Sequence, residues 1–404
     1  MRISTQTIYA QSMRSLNQQQ ADLMHVGQQI SSGRRVVRPS DDPQAASRAV
    51  QVGQSQAITS QYTDSRVAAR NALSMEESVL NSVGDAVTSA KTLIVEAANG
   101  TLSDADRASV ASQLRGIYET VLGQANATDG NGRYLFGGHQ TRSAPFVKDA
   151  GGVSYVGDAN HRQQRIDASR LMNVDDNGIA VFQGTDGAVG FMAQADAGNT
   201  GSVTFKGPDV VDTTASGYGD AFRIVFGTDA DGGAQYVIED AAGQALGQAQ
   251  AYTSGQTITH AGLSLTLEGE PGDGDAVTVD QARHLNTDLF RTFEKALAVL
   301  DKPAATDADR AALANTLGNV MREFDHSLDN VLMVRASVGS RLNELDVVDK
   351  VASNRQLNYA QTKSDLVDLD YTAAISEYSL RGVGLQAAQK TFVSMKEMNL
   401  FDLI

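Results

Sequence analysis

The sequence between Leu73 and Ala97 reads LSMEESVLNSVGDAVTSAKTLIVEA and carries apolar residues at sevenfold spacing. Two series interleave: the first is Leu73, Leu80, Val87 and Ile94, and the second is Val83, Ala90 and Ala97. This is the a/d pattern of a helix that packs lengthwise against a partner helix. If the helix extends from about residue 45 to about residue 98, its length is roughly 80 Å at 1.5 Å per residue. Such a helix needs a partner along its whole seam.

The last third of the chain carries a similar pattern. Apolar residues recur at sevenfold spacing through Val331, Val338, Leu345, Ala352, Tyr359, Leu366 and Ala373. This spacing predicts a second long helix that keeps one register as far as Ala373. Shorter amphipathic helices are predicted after Ser103 and Thr306, because each is followed by Asp-Ala-Asp and is suited to cap a helix. Both ends of the chain are therefore expected to contribute to one helical bundle.

The two capping segments resemble each other, since residues 103–114 and 306–317 are identical at 7 of 12 positions. One interpretation is a pair of related helical hairpins that face each other in the bundle. The other is that capped, alanine-rich amphipathic helices share these residues by composition alone, because alanine and aspartate supply most of the identities. The sequence leaves both interpretations open.

Residues 133–280 follow a different pattern, in which short β-prone runs alternate with clusters of Gly, Asp and Asn. The runs are Val203–Phe205, Phe222–Phe226, Leu263–Leu267 and Ala276–Val279, and the clusters are typical of turns. We predict an α+β chain: a long helical coiled-coil bundle made from both termini, with an inserted β-rich middle domain. The predicted divisions are terminal helices at 1–40 and 370–404, a bundle body at 41–132 and 281–369, and the insert at 133–280.

The negative charge of the chain is concentrated in the middle. The 404 residues carry a formal net charge of −15, and residues 149–280 hold 19 acidic side chains against 5 basic ones. A field of that sign repels phosphate backbones, so nucleic-acid binding is not expected. No run approaches the roughly 20 apolar residues of a membrane span, and the first ten residues lack the apolar core of a secretory signal. We expect neither membrane insertion nor signal-peptide export.

No combination of residues predicts a catalytic or metal site. The chain has no cysteine, which excludes disulfides and thiolate ligands, and its six histidines lack metal-ligand spacing. The segments Asp229–Gly233 and Asp273–Asp275 resemble parts of calcium loops, but neither continues to the closing Glu of a full ligand set. Turn chemistry is the simpler explanation of both segments. We therefore expect no enzyme activity and no cofactor.

The two ends of the chain carry narrow apolar stripes. The N-terminal stripe is Leu16, Leu23, Val26 and Ile30; the C-terminal stripe is Tyr378, Leu385, Phe392 and Met395, followed by Leu400, Phe401, Leu403 and Ile404. These stripes are thin for an isolated pair of helices, because most helix stability comes from packing. An intramolecular two-helix coil is one interpretation. We favour burial against other subunits, since free chain ends are usually polar and frayed.

A charged connector follows the N-terminal stripe. It contains Arg34, Arg35, Arg38, Asp41 and Asp42. We predict a kinked link between the terminal helix and the body, with charges that pair with carboxylates of a neighbouring subunit. Exposed pairs of this kind typically contribute under about 1 kcal/mol each, so they would set register. A compatible interpretation is a solvated loop in which Ser40 caps the next helix and Pro43 lies in its first turn.

Four segments carry a family resemblance. Residues 30–46 (ISSGRRVVRPSDDPQAA) resemble the N-terminal segment characteristic of the bacterial flagellin superfamily. Within that superfamily, residues 133–138 (RYLFGG) followed by 144–146 (APF) are similar to the hook-associated protein 3 family, which forms the hook–filament junction. The C-terminal segments 385–392 (LQAAQKTF) and 400–404 (LFDLI) are similar to the end of that family, and 269–278 (GEPGDGDAVT) resembles a β-turn segment of hook-associated proteins. The resemblance covers residues 1–148 and 281–404, and the middle only at that turn.

The resemblance implies an axial structural protein of the bacterial flagellum, exported unfolded through the flagellar type III apparatus to the cell exterior. Its implied partners are neighbouring copies of itself in a ring-like layer, the first hook–filament junction protein on the hook side, flagellin on the filament side, and an export chaperone. The terminal helices are then expected to form an inner tube, and the β-rich insert to face outward. Such a subunit is required for filament attachment and motility.

Two alternatives are kept. The first is a flagellin, the filament subunit itself, which shares the same N-terminal segment. The second comes from another class: a secreted adhesin or carbohydrate binder whose β domain stands on a helical stalk. The patterned stripes at both ends count against the second alternative, because an adhesin has no need of paired apolar ends.

Overall fold

Long α-helices form both ends of the chain. The computed structural model of the chain describes residues 5–184, 188–285 and 287–397. Its helices are α1 (Thr5–Ser32), α2 (Pro43–Ala97), α3 (Asp104–Ala125), α4 (Ala282–Leu285), α5 (Leu289–Leu300), α6 (Asp307–Val367) and α7 (Tyr371–Glu397), with a π-helical turn at Ile179–Gln183. Within the described ranges, no helix has both the length and the hydropathy needed to cross a membrane.

Two matching capping boxes begin α3 and α6. The Ser103 hydroxyl accepts the amide N–H of Asp106 at 3.3 Å, and the Asp106 carboxylate accepts the amide N–H of Ser103 at 3.2 Å. Thr306 and Asp309 make the same two bonds at 3.1 and 2.9 Å. Each box satisfies amide groups that the first turn of a helix leaves without partners. The caps predicted at Ser103 and Thr306 are confirmed.

The middle of the chain is built from antiparallel strands. They are β1 (Phe146–Asp149), β2 (Gly152–Tyr155), β3 (Gln163–Asp167), β4 (Arg170–Asn173), β5 (Phe191–Ala195), β6 (Thr204–Val210), β7 (Phe222–Thr228), β8 (Ala234–Asp240), β9 (Gln250–Ala251), β10 (Gln256–His260), β11 (Leu263–Glu268) and β12 (Ala276–Gln281). Strands β1–β2 and β3–β4 are separate hairpins, whereas β5-β12-β7-β8-β9 and β10-β11-β6 are larger sheets.

The two larger sheets share one apolar core. Ile224 and Phe226 of β7 and Val279 of β12 contribute from one sheet, and Leu265 and Leu267 of β11 contribute from the other. Alternation along each strand sends these side chains inward and their neighbours outward. The predicted fold class is confirmed: the termini are helical, and a β-rich region is inserted between them.

The chain divides into two compact units, each with its own packing. Unit 1 comprises residues 1–66 and 346–404, and unit 2 comprises residues 67–345. In unit 2 the predicted seams are buried, since Leu80 and Val87 of α2 and Val331 and Val338 of α6 are fully withdrawn from solvent. Unit 1 contains α1, α7, the start of α2 and the end of α6.

The register predicted for the last helix does not continue to Ala373. Along α6 the series is buried as far as Ala352 and half-buried at Tyr359 and Leu366, but α6 ends at Val367. Ala373 is exposed, and Ala374 is buried in its place. The Asp370 carboxylate caps α7 by accepting the amide N–H groups of Thr372 and Ala373. A new helix therefore begins here, and it follows its own register.

Candidate assembly interface

Helices α1 and α7 pack side by side within unit 1. The rings of Tyr9 and Phe392 meet edge to face, with centroids 5.4 Å apart, and the carboxylate of Asp22 lies 2.8 Å from the guanidinium of Arg381. Residue numbers rise along α1 as those of its contacts fall along α7, so the two helices are antiparallel. The two ends of the chain thus form one helical pair, which we call the α1–α7 pair.

The predicted stripe residues are partly withdrawn from solvent inside this pair. Val26 is buried, whereas Leu16, Leu23, Ile30, Leu385 and Phe392 are half-buried and Tyr378 is 43% exposed. Leu16 and Phe392 line one shallow groove of about 220 Å³. The antiparallel pairing lets the stripes pack on each other within the chain, as the intramolecular interpretation expects. That they also lie at a subunit interface stays a prediction.

Part of the predicted interface falls outside the described residues. Leu400, Phe401, Leu403 and Ile404 lie beyond residue 397, and of Met395 the structure describes the backbone only. Their assignment to a subunit interface stays a prediction from the sequence.

A second set of apolar residues on this pair is exposed. They are Met13 and Met24 of α1, and Ile375, Leu380, Val383 and Val393 of α7. The residues on α7 lie on faces other than that of Phe392, and Leu380 is 73% and Val383 66% exposed. Leu380 and Val383 are one turn apart on α7, and exposed apolar side chains grouped in this way favour a site of interaction. These residues do not belong to a single heptad stripe. The signal for them in the sequence is that α7 carries apolar residues on more than one face.

The connector after α1 is organised by two carboxylates. Asp41 accepts the amide N–H groups of Arg38 at 2.7 Å and Val37 at 3.0 Å, and lies 3.2 Å from the imidazole of His25. The Arg38 amide first, and then His25, lower the pKa of Asp41 below its ordinary value. These contacts fold the connector back against the end of α1.

Asp42 caps α2. Its carboxylate accepts the amide N–H of Ala45 at 3.0 Å, and Pro43 is the first residue of the helix. The predicted cap at Ser40 is therefore wrong, because Asp42 is the residue adjacent to the first turn. The Ala45 amide and then the Arg35 guanidinium lower the pKa of Asp42.

The connector arginines have different surroundings. Arg35 pairs with Asp42 of the same chain at 3.2 Å. Arg34 and Arg38 are exposed, and their guanidinium groups have no ion pair among the described residues. The predicted contacts with carboxylates of a neighbouring subunit stay a prediction.

In the calcium-like segments of the insert, aspartate carboxylates accept backbone N–H groups. The Asp229 carboxylate accepts the amide N–H groups of Asp231 and Gly233 at 2.9 and 2.7 Å. The buried Asp275 carboxylate accepts those of Thr200 and Gly201 at 2.7 and 2.8 Å. Throughout the described residues, no group of three or more His, Asp or Glu side chains is arranged to hold a metal ion.

Comparison with known proteins finds relatives along the whole chain. Residues 3–141 match the family model described as the bacterial flagellin N-terminal helical region. The flagellar hook-associated protein 3 of Escherichia coli (strain K12) is 36% identical over 404 residues, which cover 100% of this chain and 99% of the relative. The flagellin of Serratia marcescens is 26% identical over 250 residues, which cover 60% of this chain and 66% of that protein.

A solved structure supports the same likeness. The crystal structure of FlgL from Xanthomonas campestris matches with a TM-score of 0.68 at 26% identity. The match covers 78% of this chain and 99% of that one. The likeness to hook-associated protein 3 therefore extends over the full length, whereas the likeness to flagellin is weaker and partial.

Proposed function

This chain belongs to the flagellar hook-associated protein 3 family, and on that premise we propose that it is a structural subunit of the layer between flagellar hook and filament. The layer attaches the filament and is thereby required for motility. The relatives that match along the chain are structural flagellar proteins. Flagellin is the less favoured alternative, because it matches only 60% of the chain and at lower identity.

The observation that supports this proposal is the exposed apolar face of the α1–α7 pair, which contains Leu380 and Val383. Leu380 and Val383 stand in solvent in the single chain, and burial of such side chains against a partner is favourable by about 25 cal/mol per Å² of apolar surface. Neighbouring copies in a ring cover this face and bury the remaining exposed parts of Leu16 and Tyr378. We also assign the apolar residues Leu400, Phe401, Leu403 and Ile404 to this interface, from the sequence alone.

Two different proteins bound the layer. We assign the first hook–filament junction protein to the hook side and flagellin to the filament side. Arg34 and Arg38 have no described ion pair within the chain, which leaves them free for carboxylates of these neighbours. Such contacts set the register between subunits, because exposed ion pairs typically contribute under about 1 kcal/mol.

The insert faces outward and the subunit leaves the cell through the flagellar type III apparatus. The excess negative charge of residues 149–280 suits a surface exposed to water. An export chaperone keeps the apolar ends from associating before assembly. Nothing in this role requires catalysis, a cofactor or nucleic acid.

The test is a charge placed on the exposed face of α7. In cells that lack the native protein, Leu380→Asp should be secreted but not incorporated, so the variant accumulates in the medium and filaments are absent. An unpaired charge buried at an interface costs on the order of several kcal/mol. The matched control is Leu246→Asp, which changes an exposed leucine of the insert and should leave filaments intact.

Two results would count against the proposal. Normal filaments with Leu380→Asp would show that this face stays in solvent after assembly. A large fall in the melting temperature of the purified monomer would instead show that Leu380 supports the fold, since an exposed site should tolerate the change.

A further inference from the structure

The helical path is interrupted twice in unit 1, between α1 and α2 and between α6 and α7, and the two breaks are hydrogen-bonded to each other. The Arg35 amide donates to the Val367 carbonyl at 2.8 Å, and the Leu369 amide donates to the Gly33 carbonyl at 3.1 Å. These bonds form a short antiparallel ladder. A change of direction at one break therefore has to be accompanied by a change at the other.

Close contact fixes the shape of the first break. Gly33 has a φ of +67°, a conformation that glycine adopts readily and other residues rarely do. A Cβ at this position would lie only 2.9 Å from the hydroxyl of Tyr371, the first residue of α7. A side chain here would force the Tyr371 side chain to move and would hold the backbone in a strained conformation.

The Arg35 side chain joins the two long helices at this point. One guanidinium nitrogen donates to the Asp42 carboxylate at 3.2 Å and the other to the Leu366 carbonyl at 2.7 Å. Asp42 caps the start of α2, and the Leu366 carbonyl belongs to the last turn of α6, where carbonyls have no partner within the helix. A single fork-shaped group thus bonds both to the carboxylate that caps α2 and to a carbonyl in the last turn of α6.

We propose that Arg35 is a positioning residue. It links the two breaks into one joint, and in this way it fixes the direction in which the α1–α7 pair leaves the start of α2 and the end of α6. The pair turns as one body, because both of its helices enter the same joint. One consequence of this inference rests on the proposed function: the joint presents the exposed face of the pair to neighbouring subunits at one angle. The joint itself does not depend on that function.

Distances between spin labels on the purified monomer test the joint. The chain has no cysteine, so pairs of introduced cysteines are labelled uniquely. Gln20→Cys with Gln386→Cys reports on the spacing within the α1–α7 pair, and Gln20→Cys with Gln61→Cys reports across the joint. All three glutamines are exposed. Arg35→Ala should broaden the distance distribution across the joint and leave the distribution within the pair unchanged.

Matched variants distinguish the effect of the planar guanidinium geometry of Arg35 from the effect of its positive charge. Arg34→Ala removes an exposed guanidinium one residue away and should leave both distributions as in the parent. Arg35→Lys keeps the charge but presents a single ammonium instead of the planar fork, so it should restore the distribution across the joint only in part. Arg35→Gln is the second variant without charge, and circular dichroism verifies that each variant keeps its helices.

Three results would overturn the proposal. An unchanged distribution across the joint in both Arg35→Ala and Arg35→Gln would show that the backbone ladder alone holds the angle. Equal broadening by Arg34→Ala, or full rescue by Arg35→Lys, would show that local positive charge suffices. Broadening within the α1–α7 pair would show that the pair comes apart and does not turn as one body.

Assembly in cells then tests the consequence. Arg35→Ala should be secreted normally and incorporated less than Arg34→Ala. Normal incorporation with a broadened distribution across the joint would overturn this consequence, because it would show that assembly does not need the angle to be fixed in the free subunit. The monomer measurements do not involve assembly, so a failure of the proposed function would leave the result on the joint standing.

Discussion

Glu76 is an acid buried in unit 2, where burial and acidic neighbours together disfavour its charged form. Only 2% of the residue is exposed. One carboxylate oxygen accepts the amide N–H of Asp176 at 3.0 Å, and the other has no hydrogen-bond partner among the described residues. Arg341 lies nearby but pairs with the carboxylate of Asp176, while Arg162 pairs with Asp175. Burial first, and then the negative charge of Asp176, raise the pKa of Glu76 well above its ordinary value.

The raised pKa makes stability depend on pH in a defined direction. Over the range above the ordinary Glu value, the folded chain keeps a proton on Glu76 that the unfolded chain has released, so the free energy of unfolding falls as pH rises. Glu76→Gln removes this dependence. The melting temperature of the variant relative to the parent should therefore increase from about pH 4 to about pH 8. Glu96→Gln, on the exposed side of the same helix, is the control; a constant difference for Glu76→Gln would contradict the account.

Prediction from sequence succeeded at the residue scale where a whole capping pattern was present. Ser103 and Thr306 each have an acid three residues later, as a capping box requires, and both caps form. At the start of α2, Ser40, Asp41 and Asp42 are all chemically able to cap. The choice depends on the helix beginning at Pro43, which puts Asp42 next to the first turn. The burial of Glu76 was not visible in the sequence, because its contacts come from Asp176 and Arg341, far away along the chain.

The seam of α2 shows how periodicity becomes packing at the scale of an element. Leu73, Leu80, Val87 and Ile94 are all fully buried, as their sevenfold spacing predicts. Residues between them, such as Val95, point to solvent and are as apolar as the seam itself. Position in the heptad, more than hydrophobicity alone, therefore decides which side chain stabilises the bundle.

This contrast gives a prediction on stability. Leu80→Ala removes a fully buried side chain and leaves a cavity, so the free energy of unfolding should fall by about 2–5 kcal/mol. Val95→Ala removes atoms from a side chain that is 57% exposed, and should change it by less than about 0.5 kcal/mol. Urea unfolding of the purified monomer, followed by circular dichroism, measures both. Equal losses for the two variants would show that the bundle is loosely packed.

Periodicity identified apolar faces but not their partners. The N- and C-terminal stripes were recognised, yet the sequence could not show that α1 and α7 pair with each other, because a stripe has the same spacing whether its partner is the same chain or another. The break after Val367 was missed for a similar reason. The sevenfold count continues through it by chance, whereas the cap at Asp370 restarts the helix.

At the scale of the whole molecule, the larger sheets of the insert form a body with one point of entry and exit. The Ala282 amide donates to the Gly190 carbonyl at 2.9 Å, and Phe191 of β5 lies opposite Gln281 of β12. The sequence predicted the strands but not this closure. Strand β12 pairs with β5 and β7, and the runs of apolar residues carry no information on such distant pairing.

Because the chain enters and leaves the two larger sheets at one point, we predict that these sheets can be removed without unfolding the helices. Replacing residues 191–281 by a short Gly-Ser linker should keep the helical circular dichroism signal, because the two cut ends already lie one hydrogen bond apart. A modest fall in melting temperature is expected, since the side-chain amides of Asn315 and Asn319 lose the carbonyls of Val203 and Ala193. Those amides then bond to water, which compensates most of the loss.

In cells lacking the native protein, this shortened chain should still attach filaments, because the proposed interface lies on the α1–α7 pair and the sheets are proposed to face outward. Motility is the more sensitive readout and is expected to fall. The same shortened chain carrying Leu380→Asp is the control, and it should be secreted without forming filaments. If the shortened chain keeps its helices and its secretion yet attaches no filament, the sheets take part in the layer themselves. The acidic surface would then be a contact with a neighbouring subunit, and the assignment of an outward position to the insert would be wrong.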